Sequence, residues 1–374
     1  MSNQPENNGA SAPLLQEMVE GMLGMRQRSS RGAEHLAMLA RGEFRKEVAS
    51  TPKELVWAKR KSRLYHYFPL VGQARPEPVL IVPWIGISRP LILDLLPDNS
   101  LLRALCGQGY HTYLLDWGEP GEEDGDIGFE ECALDFLPRA VKKTLAHAGA
   151  KQLSVVGVCL GVPTALSYLA LTPDAPVRSM VAMVGPIDFD QGGMFKAWVG
   201  GPEFPAEAVA RTWGGVPTSA MGLGFKLLRP FGDLAAYTNL LWNIENREYL
   251  PTFQALNDWA NDFIPMPGKY FVQLSRNLYR DNQLVKGEFR LDGRRVDLSA
   301  VRLPLLVVAA AQDHIAPAPS VKALMDVVSS TDKEYVELPG GHISVFAGRR
   351  AAQMLFPKIT GWLSAREPAP QGGG

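Results

Sequence analysis

The sequence predicts an α/β fold, in which a mostly parallel β-sheet carries helices on both faces and a subdomain is inserted between two of its strands. Three observations lead to this prediction. Strand-sized apolar runs alternate with helical segments over the first half of the chain, which is typical of parallel sheets. A turn between small residues joins one of these strands to the next helix. A long segment without the alternation then separates this region from two final strands.

The alternation begins near residue 62 and can be followed to residue 184. We expect strands at 62–68, 78–83, 111–116, 153–156 and 179–184, with helices at 100–107, 129–148 and 162–171. Two further strands are expected at 304–310 and 334–338, with a helix at 320–328 between them. A chain of 374 residues that is 46% hydrophobic is long enough for such a sheet and for an added subdomain.

The turn after the predicted strand at 153–156 reads Gly157-Val158-Cys159-Leu160-Gly161. A sharp strand-to-helix turn requires small residues on both sides of its central residue, because larger side chains would collide with the neighbouring strand or helix. This is the pattern of the nucleophile elbow of the α/β-hydrolase fold, with cysteine in place of serine. Because exchange between a thiolate and a thioester is close to thermoneutral, an acyl group on Cys159 keeps its capacity for transfer. We therefore expect acyl transfer rather than plain hydrolysis.

Two more polar residues follow strand ends in the order that this fold uses. Asp313 follows the predicted strand at 304–310, and His342 follows the strand at 334–338. The order nucleophile, acid, histidine is that of the α/β-hydrolases, with the last two on loops at the carboxyl ends of strands. His314 is a second candidate base. A residue adjacent to the acid in sequence can rarely turn to be oriented by it, so we rank His342 first.

Each of these residues also has a structural interpretation. A single cysteine is more often buried packing than a nucleophile. Asp313 could cap the turn that follows it, and His342 could be a loop histidine bonded to a carbonyl group. The occurrence of all three residues at strand ends in this order favours catalysis. Cys106 and Cys132 lack that context, so we interpret both as structural.

The segment from residue 186 to about 299 has a different pattern. It contains four tryptophans and many other aromatic residues, and it ends in a predicted hairpin at 288–297 around Asp292-Gly293. Its position makes it a cap that would keep water from an acyl-enzyme, although most of its aromatic residues are expected to form its own core. The predicted organisation is a disordered tail with a helical segment (1–49), an α/β-hydrolase core in two parts (50–185 and 300–366), the cap (186–299) and a disordered tail (367–374). The helical segment is expected to pack on its own domain or, alternatively, to dock a partner.

Composition excludes several classes of protein. The formal net charge is −1 with scattered Lys and Arg residues, which does not support binding of nucleic acid or of an anionic membrane surface. Three cysteines at unrelated spacings argue against a disulfide framework and predict a cytoplasmic protein. No signal peptide or membrane span is expected. The six histidines are scattered and no HxxxH or CxxC pair occurs, so no metal site is predicted.

Several motifs distributed between residues 50 and 363 occur together. They are Tyr113-Leu114-Leu115-Asp116-Trp117-Gly118, Gly157-Val158-Cys159-Leu160-Gly161, Val184-Gly185-Pro186-Ile187-Asp188-Phe189, Lys286-Gly287-Glu288 with Gly293-Arg294-Arg295-Val296-Asp297-Leu298, Asp313-His314 and Gly341-His342-Ile343. With these motifs the chain resembles the polyhydroxyalkanoate synthases, cysteine enzymes of the α/β-hydrolase fold that polymerise 3-hydroxyacyl-CoA. One departure is that Leu160-Gly161-Val162 stands where a Gln-Gly-Gly-like sequence is expected. The short region before the core is similar to that of the family's smaller catalytic subunits, which work with a separate accessory subunit.

The resemblance implies polymerisation of 3-hydroxyacyl-CoA, with 3-hydroxybutyryl-CoA as the expected substrate, at polymer granules in the cytoplasm. His342 would activate Cys159, and either His342 or Asp313 would activate the 3-hydroxyl group of the next unit. Two other functions remain open on the sequence. One is a cysteine-dependent acyl-CoA thioesterase or single acyltransferase of the same fold. The other is a non-catalytic granule-binding scaffold, against which the complete triad argues.

The remaining expectations concern the oxyanion and the partners. The backbone N–H of Leu160 and that of Trp84 or Ile85 would stabilise the oxyanion. No cofactor is expected, because coenzyme A is part of the substrate and a product. The expected partners are the 3-hydroxyacyl-CoA substrate, the growing polyester chain or granule surface, an accessory synthase subunit and a second copy of the chain.

Overall fold

A computed structural model describes residues 30–228 and 232–367 of the chain. The predicted tail and the first part of the predicted helical segment lie outside these residues, as does the second tail beyond residue 367. The central feature is an eight-stranded sheet in the order β1-β2-β4-β3-β5-β6-β7-β8. Its strands are β1 (Lys53–Lys59), β2 (Ser62–Tyr67), β3 (Val79–Val82), β4 (Thr112–Asp116), β5 (Leu153–Val158), β6 (Val177–Met183), β7 (Leu305–Ala310) and β8 (Lys333–Leu338).

The sheet is parallel from β4 to β8, and β1 and β2 form an antiparallel edge. Every residue of β3, β5 and β7 is buried. Strands covered on both faces must be apolar at successive positions rather than at alternate ones. This explains why these strands are continuous apolar runs in the sequence.

Helices connect the strands and fill the segment between β6 and β7. They are α1 (residues 30–40), α2 (Leu101–Gly107), α3 (Leu137–Ala148), α4 (Gly161–Leu171), α5 (Gly193–Val199), α6 (Ala206–Trp213), α7 (Thr218–Leu228), α8 (Gly232–Trp242), α9 (Tyr249–Ala260), α10 (Gly268–Gln273), α11 (Ala318–Lys322), α12 (Leu324–Val327) and α13 (Phe356–Ser364). Turns of π-helix extend three of them, at Glu131–Phe136, Leu274–Arg280 and Ala351–Leu355. No helix in the described ranges is long and apolar enough to cross a membrane.

The predicted elements of the core are found with small shifts at their ends. The single helix predicted at 320–328 is instead two short helices, α11 and α12, that meet at Ala323. The predicted hairpin is present as paired residues Arg290–Leu291 and Arg294–Arg295. Its two turn residues, Asp292 and Gly293, have φ values of 47° and 72°, as a two-residue hairpin turn requires.

The contacts divide the chain into two units. One consists of Met1–Lys46 and Pro230–Asn257, and the other of Glu47–Arg229 and Asp258–Gly374. Within the described part of the smaller unit, Phe44, Leu240 and Leu250 form a buried cluster, against which the half-buried Leu39 packs. The domain bounds predicted from the sequence remain predictions.

Candidate active site

Cys159 lies between β5 and α4 with a φ of 52°, in the left-handed region that few non-glycine residues adopt. The glycines on either side allow this turn. A Cβ atom on Gly161 would overlap the carbonyl oxygen of Val82 and lie 2.7 Å from that of Pro83, so α4 begins directly against the end of β3. A Cβ on Gly157 would lie 2.9 Å from the Met180 methyl group. The geometry is that of the predicted elbow.

Val162, one of the two residues that depart from the expected motif, fills space that two glycines leave free. A Cβ atom on Gly185 would overlap the Val162 side chain, 2.6 Å from its Cγ1. One on Gly157 would lie 3.2 Å from the Val162 Cα. The branched side chain is fully buried here. The departure at Val162 is therefore accommodated by packing behind the elbow.

Asp313 and His342 come together at the ends of β7 and β8. The Nδ1 of His342 lies 2.7 Å from Asp313 Oδ2, and both side chains are buried. The other carboxylate oxygen of Asp313 accepts hydrogen bonds from the backbone N–H groups of Ile315 and Ala316, at 2.8 and 2.9 Å. These bonds fix the carboxylate, which in turn orients the imidazole ring and leaves its Nε2 for another partner.

Cys159 is the other group that acts on His342. Burial by itself lowers the pKa of His342, but the charge of the Cys159 sulfur, the hydrogen bond that the imidazole donates to Asp313 and a hydrogen bond to Cys159 outweigh it. Together they raise this pKa to about 10. When Cys159 is a thiolate, the imidazole therefore holds its proton beside the sulfur. A thiolate is the nucleophilic form of cysteine, so the arrangement favours attack by Cys159.

The second candidate base, His314, and the two cysteines interpreted as structural lie outside the Cys159–His342–Asp313 arrangement. His314 is half-buried beside Asp313. Cys106 and Cys132 are buried, and burial raises the pKa of both thiols, that of Cys106 to about 11. Their sulfurs stay protonated at neutral pH, as expected of packing residues.

The loop after β3 carries the predicted oxyanion donors Trp84 and Ile85, and both residues are buried. Trp117 supports the start of this loop, since its indole N–H donates to the Pro83 carbonyl at 2.9 Å. Ile87 follows with a φ of 71°, which is rare for a β-branched residue. In the described part of the chain, no backbone carbonyl accepts a hydrogen bond from the N–H of Leu160. The N–H of Leu160 is therefore available to a substrate oxygen.

The segment between β6 and β7 holds this loop in place. Residues Phe263–Ile264 pair with Ile87–Ser88 as two short antiparallel strands. Directly after the pair, the Arg89 guanidinium binds both carboxylate oxygens of Asp262, at 2.5 and 2.6 Å. The indole N–H of Trp259 donates to the Arg89 carbonyl at 2.9 Å. The loop with the strained Ile87 is thus bonded to the inserted segment.

A cavity of about 280 Å³ opens beside Cys159 and Leu160. Its walls are almost entirely apolar and come mainly from α5, α6, α7 and α10, including Phe195, Trp198 and Phe225. Tyr279 also lines it and is buried against Phe189, with ring centroids 4.9 Å apart. The cavity can hold an apolar chain attached to the cysteine.

Sequence reasoning did not find two of the residues around this site. The pKa of Tyr279 is raised by burial and by the charges of Cys159 and Asp313, so its hydroxyl stays neutral next to the sulfur. No sequence pattern indicated that this tyrosine would face the elbow. Ile87 is only two residues beyond Ile85, but left-handed backbone at a β-branched residue has no sequence signal.

Comparison with known proteins identifies the class to which this site belongs. Residues 84–348 match the family model of the α/β hydrolase fold. A monoacylglycerol lipase from Paleococcus ferrophilus aligns with 81% of the chain and 99% of its own length, at a TM-score of 0.54 and 18% identity. A monoglyceride lipase from Saccharomyces cerevisiae aligns with 87% of the chain and 99% of its own, at a TM-score of 0.54 and 16% identity. The protein is an α/β-hydrolase-fold protein with cysteine at the elbow, as predicted.

Its relatives define the family more closely. Residues 14–105 match the model of the poly-beta-hydroxybutyrate polymerase (PhaC) N-terminus. Two relatives are named poly(3-hydroxyalkanoate) polymerase subunit PhaC. The one from Synechocystis is 31% identical to this chain, over 94% of each of the two chains. The one from Allochromatium vinosum is 30% identical, over 86% of this chain and 90% of the relative. A protein of the same name from Haloferax mediterranei is 32% identical over 85% of this chain. The match covers 65% of the length of the Haloferax protein. The chain belongs to the poly(3-hydroxyalkanoate) polymerases, which are acyltransferases, and the resemblance inferred from its motifs is confirmed.

Proposed function

We propose that this protein polymerises 3-hydroxyacyl-CoA, with 3-hydroxybutyryl-CoA as its substrate, through a thioester on Cys159. The observation that carries the proposal is the left-handed elbow at Cys159, with the Asp313-bound His342 beside it and an apolar cavity in front of it. The family supports polymerisation, because its members are named as polymerases of 3-hydroxyalkanoates.

The first half of the reaction loads the enzyme. His342 takes the thiol proton of Cys159, and the thiolate attacks the thioester carbonyl carbon of the substrate. The N–H groups of Leu160 and of Trp84 or Ile85 stabilise the oxyanion, and losing one such donor typically costs about 10²–10³ in rate. The bond to the CoA sulfur then breaks, and CoA leaves with the proton from His342. The acyl group remains on the cysteine.

The second half extends the chain. The 3-hydroxyl group of one unit attacks the acyl-cysteine of another, its proton passes to a base, and the cysteine sulfur leaves as thiolate. Either His342 or Asp313 is this base, and Asp313 also orients His342 through the 2.7 Å bond. The apolar cavity keeps water from the acyl-enzyme, which favours attack by a hydroxyl group over hydrolysis.

The cavity suits an acyl group better than the whole of coenzyme A. Its volume of about 280 Å³ is at the low end of ordinary ligand pockets, which begin at about 300 Å³. Two of its lining residues, Trp213 and Leu223, are more than half exposed and so form an apolar rim. We infer that the growing chain leaves over this rim towards a granule surface. The proposal also includes an accessory subunit and a homodimer. The accessory subunit is supported by relatives whose names describe them as polymerase subunits.

The test follows CoA release and polymer together. Purified protein is incubated with 3-hydroxybutyryl-CoA, with and without a candidate accessory subunit. Wild type should release CoA and form polymer, Cys159→Ala should do neither, and Cys159→Ser should be far slower because a hydroxyl group is the weaker nucleophile. Cys106→Ala is the matched control, since it removes another buried thiol and should keep activity. Release of CoA without polymer would instead identify a thioesterase, and normal turnover by Cys159→Ala would refute the assignment.

A further inference from the structure

Half of the six histidines gather near the amino ends of the parallel strands, on the side of the sheet that β1 and β2 form. His66 lies on β2 and is paired with Tyr113, near the amino end of β4. His111 precedes β4 directly, and His147 lies in the last turn of α3, which leads back to the amino ends of the strands. Cys159, in contrast, follows the carboxyl end of its strand. This second cluster is therefore separate from the acyl-transfer chemistry.

Two of these histidines share one carboxylate group. The Nδ1 of His66 lies 2.9 Å from Glu54 Oε1, and the Nε2 of His147 lies 3.6 Å from the same oxygen. One ligand atom from each residue lies within 4.8 Å of the others. Zinc bonds of about 2.0–2.1 Å in a tetrahedral site would place ligand atoms about 3.3 Å apart. Small side-chain adjustments would bring all three atoms to one ion.

The nitrogen atoms that would not bind the ion already have partners. The Nε2 of His66 lies 2.9 Å from the Nδ1 of His111. The Nδ1 of His147 lies 2.8 Å from the hydroxyl oxygen of Tyr113. A metal-bound histidine usually donates its other N–H to such a partner, which fixes the ring and its tautomer. Histidines that are close together only by chance would not be expected to have such a partner on each remaining ring nitrogen.

The exposure of the three residues also suits an ion that enters from solvent. The side chain of His66 is 4% exposed, whereas those of Glu54 and His147 are 46% and 36% exposed. One ligand is therefore held rigidly by the core, and the other two face water. An entry path and an oriented anchor are both requirements of a metal site.

We propose that Glu54, His66 and His147 bind a divalent transition-metal ion, Zn²⁺ in the first instance, with water completing the coordination. Two imidazole nitrogens and one carboxylate oxygen form a ligand set typical of this ion. The ion would link β1 and β2 to α3 at the antiparallel edge of the sheet. Sequence spacing predicted no metal site, because the ligands are far apart in the chain and only the fold brings them together.

The test is metal binding by the full-length, tag-free chain. Zn²⁺ is titrated by calorimetry, and Co²⁺ is used as a spectroscopic probe of coordination. Cys159→Ala is titrated in parallel, so that binding to the catalytic thiolate can be separated. The ligand variants are Glu54→Gln and His147→Gln, which change exposed side chains and should leave the fold intact. Glu47→Gln is the control, since it removes an exposed carboxylate elsewhere.

We expect one Zn²⁺ per chain in both the wild type and Cys159→Ala. Each ligand variant should bind at least tenfold more weakly, and Glu47→Gln should bind as wild type. The Co²⁺ complex of wild type should show tetrahedral bands without a sulfur-to-metal charge-transfer band. A saturating Zn²⁺ concentration should raise the melting temperature of wild type and not that of His147→Gln. Failure to bind Zn²⁺ at 1:1 stoichiometry, or equal affinity in wild type and both ligand variants, would overturn the proposal. Neither result depends on polymerase activity.

Discussion

Replacement of Gly161 by alanine should damage both the stability of the fold and its chemistry. The new methyl group would overlap the Val82 carbonyl oxygen and lie 2.7 Å from that of Pro83, and neither backbone group can rotate away as a side chain could. The start of α4 would have to move from β3 by about 1 Å. Overpacking of this kind costs about 1–3 kcal/mol of unfolding free energy. A displacement of about 1 Å at a catalytic group can lower the rate about 10²-fold.

The matched control is Gly361→Ala. Gly361 is also helical, in α13, but a Cβ atom there would have no neighbour within 4 Å. Alanine should stabilise this position by about 0.4–1 kcal/mol, because it restricts the unfolded chain and favours the helix. Gly161→Ala should therefore be less stable and Gly361→Ala more stable than wild type, and their unfolding free energies should differ by about 1.4–4 kcal/mol. Urea unfolding followed by circular dichroism measures the stability, and CoA release measures the rate. Equal urea midpoints and equal rates in Gly161→Ala and wild type would contradict the close approach of α4 to β3.

Three further predictions concern single groups. His342→Gln should leave Cys159 unacylated. If Asp313 is the base for the 3-hydroxyl group, Asp313→Asn should still acylate Cys159 once and then accumulate a short-chain acyl-enzyme. Intact-mass analysis after one exposure to substrate distinguishes the two variants, and equal acylation would show that Asp313 has no such separate role. Because the pKa of His342 is raised to about 10, its contribution to stability is complete below about pH 6.5 and is lost as the pH rises towards 10. The urea midpoint should accordingly fall more over that pH interval in wild type than in Cys159→Ala. If the midpoints of the two proteins fall in parallel with pH, Cys159 does not stabilise the protonated His342. Asp94→Ala should lower the unfolding free energy by about 2–4 kcal/mol, because the backbone N–H and the hydroxyl group of Thr51 lose their buried acceptor. Thermal or urea melts measure this change. An unchanged midpoint would show that water takes the place of the carboxylate.

The sequence could predict those parts of the fold that depend on local pattern. The runs that became β3, β5 and β7 are apolar at successive positions because both faces are covered. The small residues around Cys159 marked the elbow, since only glycine fits where α4 meets β3. Chain order then placed Asp313 and His342, whose hydrogen bond the structure contains.

Features that depend on long-range packing were not predictable in this way. Tyr279 reaches the elbow only because α10 and the π-helical turn that follows it pack beside α5. The scattered histidines meet because β2, β4 and α3 converge at one edge. The helix expected at 320–328 is interrupted at Ala323, although alanine favours helix and the φ and ψ of Ala323, −53° and −23°, are themselves helical.

The short strand pair between Ile87–Ser88 and Phe263–Ile264 has a consequence for engineering. With the Arg89–Asp262 ion pair, it makes the last part of the inserted segment a structural extension of the loop that carries Trp84 and Ile85. Substitutions near Asp262 should therefore be tolerated as poorly as substitutions in the loop of Trp84 and Ile85, although the two regions lie far apart in the chain. Of the helices upstream, α7 packs against Phe263 through Phe225 and α9 contains Trp259, so these two share the constraint. Exchange of α5 and α6, which line the cavity, is thus the safer route to a different acyl preference.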